Sequence, residues 1–112
     1  MSDVGSHFER GLELIRRQSF FEAHEELELA WRAAPVEERD FYQGLVHVAV
    51  GWYQAGRGKR YGCERQLAKA ARRLGPYAPE HRGVEVAAVL AQVADAQATV
   101  AAGSLVLEPP RV

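Results

Sequence analysis

Phe20-Phe21-Glu22-Ala23-His24-Glu25-Glu26-Leu27-Glu28-Leu29-Ala30-Trp31 is the stretch that decides the fold. Phe20, His24, Leu27 and Trp31 recur at the three- and four-residue spacing of one helix face, with glutamates between them. The segment is therefore an amphipathic helix. Ser19 followed by Glu22 has the form of a capping box, in which a serine hydroxyl and a glutamate three residues on satisfy free backbone N–H groups reciprocally. The spacing predicts that this helix ends near Ala34, because Pro35 disfavours helical geometry in the residue before it.

Outward from this helix the same period continues in both directions. Phe8, Leu12 and Ile15 make a preceding helix over Ser6 to Arg17. After Pro35, which is tolerated in the first turn of a new helix, Phe41, Leu45, Val48, Ala49 and Trp52 share a face of a third helix over about Val36 to Gln54. Val46 and Val50 lie nearby, so this helix belongs at the centre of a bundle. Gly44 and Gly51 stand two turns apart on it, and each costs about 1 kcal/mol of helix propensity relative to alanine, which points to a closely approaching neighbour. Gly56-Arg57-Gly58 ends it. Cys63, Leu67, Ala70 and Leu74 line a fourth helix over Arg60 to Leu74, and Val86, Val89, Leu90 and Val93 line an alanine-rich fifth over Val84 to Ala101. Gly75-Pro76-Tyr77-Ala78-Pro79 is the loop between them, and residues 103–112, with Pro109-Pro110, read as a loose C-terminal tail. Short connections favour antiparallel neighbours. The expected fold is all-α, a compact antiparallel bundle of about five helices formed by residues 1–102 as one domain.

Composition agrees. A chain of 112 residues has room for one hydrophobic core, and 47% apolar with 26% charged residues is a globular balance. The net charge of −1 supplies no global field that would select a polyanion or an acidic membrane. The single Cys63 excludes an intrachain disulfide and a multi-cysteine zinc framework, and suits a reducing, cytoplasmic setting. The N-terminus lacks the basic start and apolar run of a secretory signal, and no apolar stretch approaches the roughly 20 residues of a membrane span.

His24 is the most unusual side chain, an imidazole on or beside an apolar face with Glu28 one turn away. It is either a core histidine satisfied by a neighbour or a ligand or general base held by a carboxylate. His24-Glu25 begins the zincin pattern H-E-x-x-H, but Glu28 stands where the second histidine belongs, which argues against a metalloprotease. His24 and Glu28 form half of a site for a divalent metal, which His47 and Gln43 on the next helix would complete. Arg57, Lys59, Arg60, Arg65, Lys69, Arg72 and Arg73 form a basic group opposed by Glu64, while Glu22, Glu25, Glu26, Glu28, Glu37, Glu38 and Asp40 make the preceding region acidic. The basic group is either a solvated helix face, complementary to the acidic region, or a phosphate contact.

The F-x-E-A-H-E segment from Phe20 to Glu25 with Leu27, Glu28 and Trp31, followed by Gln43-Gly44-Leu45 and Ala49, resembles the domain of unknown function 309 over about residues 7 to 75. That resemblance implies a compact helical bundle of bacteria and archaea without an assigned biochemical role. It also implies that His24, Glu25, Glu28, Trp31, Gln43 and Gly44 occupy motif positions. The family often carries a histidine where this chain has Gln54, a departure that weakens any scheme needing a ligand there.

Three functions follow as expectations. The leading one is a non-enzymatic module acting through a protein partner or as a homo-oligomer, because no catalytic constellation is complete. The second is a metal-binding or hydrolase-like site between the second and third helices, with His24 and Glu28 as ligands, Glu25 as base, and Gln43 and His47 completing the cleft. The last is nucleic-acid binding by the basic fourth helix, the least favoured partner.

Overall fold

Helical periodicity becomes five α-helices in the computed structural model, which describes residues 3–112: α1 Val4–Arg16, α2 Phe20–Ala33, α3 Arg39–Gly56, α4 Arg60–Leu74 and α5 Val86–Ala101. Short 3-10 turns occupy Val36–Glu38 and Gly75–Tyr77, and the described residues hold no strand. This is the all-α bundle expected from the spacing. α3 is its centre, packed between α2 and α4, with α1 on the far side of α2 and α5 against α4. Phe41, Leu45, Val48 and Ala49 of α3 are fully buried, as are Leu27 of α2 and Cys63, Leu67, Ala70 and Leu74 of α4. Each large aliphatic side chain buried this way stabilises the fold by roughly 1.5–3 kcal/mol.

The two glycines of α3 do what their spacing implied. A methyl group added at Gly44 would lie 2.6 Å from Leu74 Cγ, and one at Gly51 would lie 3.0 Å from Leu67 Cδ2. α4 therefore sits against the backbone of α3 along its length, which sets the polar residues flanking this seam within reach of one another.

Several local expectations are corrected. Ser19 does precede α2, but its side chain makes no capping hydrogen bond. The turn is made instead by Gln18, whose φ of 61° puts it in the left-handed region, with Gln18 N–H donating to Ile15 O and Ser19 N–H to Leu14 O. α1 is the helix with a side-chain cap, Asp3 accepting from Gly5 N–H at 3.0 Å, so it starts earlier than its apolar stripe indicated. The third helix begins at Arg39 because the residues after Pro35 form a 3-10 turn, and the fifth begins at Val86 because His81 and Val84 pair in an isolated bridge ahead of it.

The C-terminal residues are not loose. Leu105, Leu107 and Val112 pack against the core and Pro110 is buried. Trp52 Nε1–H donates to Glu108 O at 2.9 Å, and Gln92 of α5 accepts from Arg111 N–H at 2.6 Å while donating to Arg111 O at 2.9 Å. Alternation of apolar residues at 105 and 107 in so short a segment carries no helical signal, and its partners are distant in sequence. No helix of the described residues is long and apolar enough to cross a membrane.

Candidate functional site

The polar residues singled out by the sequence divide between two places. On α2, His24 is half-buried, and its Nδ1–H donates to the carbonyl of Phe21 one turn back. Its Nε2 lies 3.9 Å from Glu28 Oε1, and Glu28 also faces Arg32 at 3.8 Å. His24 is thus a histidine at the edge of the core with one ring nitrogen satisfied by its own helix. Glu25 is exposed and forms no ion pair among the described residues. Trp31 is partly buried against the core.

His47 belongs to the other place, the seam between α3 and α4. Asp40, Gln43, His47 and Gln54 recur along one stripe of α3, and Gln66, Lys69 and Arg73 along the facing stripe of α4. Because the helices are antiparallel, the stripes meet as rungs. Arg73 Nη1 donates to Asp40 Oδ1 at 2.8 Å, His47 Nδ1–H donates to Gln66 Oε1 at 2.7 Å, and the side chain of Gln54 lies over Gly62. Gln43 is half-buried in the same stripe. His47 Nε2 is left as a buried acceptor without a partner among the described residues. Burial holds His47 below its ordinary pKa of 6.5, and the positive charges of Arg73, Lys69 and Arg72 act in the same direction, against the hydrogen bond that His47 donates to Gln66.

His24 and Glu28 are therefore not joined by His47 in a metal-ligand set. No group of three or more His, Cys, Asp or Glu side chains suited to a metal forms among the described residues. The physical reason is rotational: His47 lies on the side of α3 that α4 covers, and its hydrogen bond is spent there, whereas His24 lies on α2. Cys63 is fully buried, and that burial pushes its thiol pKa up, in keeping with a core residue.

A third cluster was not legible in the sequence. Glu38, mostly buried, accepts from His81 Nε2–H at 2.9 Å and from Arg82 Nε–H. Burial alone would raise the Glu38 pKa, but these hydrogen bonds and charges bring it below its ordinary value of 4.5. His81 packs edge-on to Phe41 with ring centroids 4.7 Å apart, and Tyr77 donates its hydroxyl proton to Glu37 O. These contacts fasten the segment between α4 and α5 onto the start of α3. Glu38 and His81 are 43 residues apart, so no local pattern joins them.

Large apolar side chains open to solvent include Val36, Tyr61 and Val106, and, at the end of the bundle where α2 begins and α3 stops, Phe21. Phe21 is 47% exposed, and its ring meets Tyr53 at 5.5 Å and His24 at 5.0 Å. Arg57 lies over the Tyr53 ring at 5.5 Å and donates to its hydroxyl at 2.9 Å. Glu22 and Glu25 flank this aromatic pair on α2, Arg57 and Lys59 on the α3–α4 turn, and all four are exposed. None of the four forms an ion pair among the described residues. The signal for this patch was the Phe20-Phe21 doublet, since two adjacent aromatics cannot both face inward from one helix.

A family model described as a domain of unknown function (DUF309) matches residues 8–66. No curated protein and no solved structure matches the chain.

Proposed function

The chain belongs to the family described as domain of unknown function DUF309, and from that premise we propose that it is a self-associating helical module whose contact surface is the Phe21–Tyr53 end of the bundle. One observation carries this reading: an exposed Phe21 ring against a half-buried Tyr53, flanked on one side by carboxylates and on the other by cations that form no ion pair among the described residues. Aromatic and arginine side chains are the types that anchor protein interfaces. A two-fold axis through the pair would set Glu22 and Glu25 of each copy against Arg57 and Lys59 of the other, so the patch is complementary to itself. His24 then has a supporting role, its ring bracing Phe21 from beneath.

Sedimentation velocity over a concentration series tests the proposal. Wild type should associate reversibly, less so at high salt, since exposed charges are screened. Phe21→Ser should weaken association about tenfold or more, because a symmetric contact buries the exposed half of two Phe21 rings, together worth roughly the 1.5–3 kcal/mol of one fully buried phenylalanine, and about 1.4 kcal/mol is tenfold. A wild-type chain that stays monomeric throughout, or an association indifferent to Phe21→Ser, would overturn it.

A further inference from the structure

The segment after α5 is held as a bound peptide would be. α5 ends at a left-handed turn, Gly103 having φ 101°, and residues 104–112 then cross the body without helix or strand. Two anchors grip its backbone. The Gln92 side-chain amide pairs with both the N–H and the C=O of Arg111, and the Trp52 indole N–H donates to Glu108 O beside Pro109 and Pro110. Leu105, Leu107 and Pro110 turn inward while Val106, at 86% exposed, and Glu108 face water. An indole N–H aimed at a carbonyl next to proline, with a side-chain amide pairing a backbone, is chemistry suited to an extended proline-bearing chain.

We propose that this groove is a peptide site and that its second occupant is the C-terminal segment of another copy of the chain, exchanged about Gly103. The occupant follows from the fit already present: the groove matches residues 104–112, and nothing in its contacts requires that they arrive from the same chain. Release of the segment breaks these anchors and a longer contact from Arg16 Nη2 to Val112 O at 3.5 Å and uncovers Leu105, Leu107 and Pro110, and insertion of the same segment from a second copy restores every one of these contacts. The site is separate from the Phe21–Tyr53 patch.

The test uses two full-length chains, both carrying Phe21→Ser, so that the patch is weakened equally in each and the single-chain runs report whatever association it retains. The first has a weakened segment, Leu107→Ser with Pro110→Ser, and an intact groove. The second has an intact segment and a weakened groove, Gln92→Ala with Trp52→Phe; Gln92→Ala alone serves if the Trp52 change unfolds the chain by circular dichroism. Each alone should sediment as a monomer, and the equimolar mixture should give a species of twice the mass. A mixture that remains monomeric while both chains are helical overturns the proposal. A synthetic peptide of residues 104–112 added to the first chain, followed by tryptophan emission, distinguishes the source. Binding of the peptide without dimer in the mixture would mean that the groove takes such segments from a different protein, which also refutes exchange between copies.

Discussion

Replacing Gly44 by alanine isolates the feature that sets the spacing of the central helices. The added methyl would stand 2.6 Å from Leu74 Cγ, 2.7 Å from Leu74 Cδ2 and 3.4 Å from the Leu74 backbone nitrogen. Carbon atoms pack best at about 3.5–4.0 Å, so Leu74 or the whole of α4 must yield by about 1 Å. Leu74 is fully buried and has nowhere open to turn. Overpacking of this kind costs about 1–3 kcal/mol, and the upper half of that range applies because the methyl meets two carbons at once. Alanine recovers about 1 kcal/mol of helix propensity, leaving a net loss of about 1–2 kcal/mol. Two controls bracket the estimate. At Gly51 the nearest atom is the terminal Cδ2 of Leu67 at 3.0 Å, so strain and propensity should nearly cancel. At Gly56 nothing lies within 4 Å and the residue is helical, so alanine should stabilise by about 0.4–1 kcal/mol. Urea unfolding followed by circular dichroism, with a common slope, gives all three. A Gly44→Ala chain as stable as wild type, or a larger loss at Gly51 than at Gly44, would refute the packing argument.

Other consequences are open to measurement. Because burial lowers the folded-state pKa of His47 below 6.5, the unfolded chain takes up the proton first as pH falls; stability should be intact above 6.5, decline through that value, and level off below the folded-state pKa. His47→Gln should remove that part of the slope, and urea midpoints between about pH 5 and pH 7 that decline equally in both chains would contradict it. Glu38→Gln should cost about 1–3 kcal/mol by weakening its bonds to His81 and Arg82, with faster amide exchange at His81 and Val84; unchanged exchange there would mean that the segment before α5 is held by its apolar contacts alone.

The fold was legible because four helices carry a clean stripe. Leu27, Leu45, Leu67 and their neighbours fall where the period put them, and Gly44 and Gly51 signal a closely approaching helix, which the structure shows to be α4. What escaped was non-local. His24 and His47 both sit beside apolar stripes, so the sequence could place each on a helix edge but not fix the rotation that turns His47 toward Gln66 and away from His24. The Glu38–His81 pair and the seating of Pro110 join residues far apart in the chain, and neither leaves a periodic trace. Ser19 misled because a capping box needs the serine in extended geometry, while the left-handed Gln18 turn sets its backbone otherwise.

The most direct measurement of the central claim is a charge exchange across the Phe21–Tyr53 end. One chain carries Glu22→Lys with Glu25→Lys, the other Arg57→Glu with Lys59→Glu, all four at exposed positions. If two copies pair about a two-fold axis there, each variant alone should sediment as a monomer, since like charges then face one another, and an equimolar mixture should recover the dimer. Variants that associate as wild type does, or a mixture that stays monomeric while wild type dimerises, would contradict self-association through this surface.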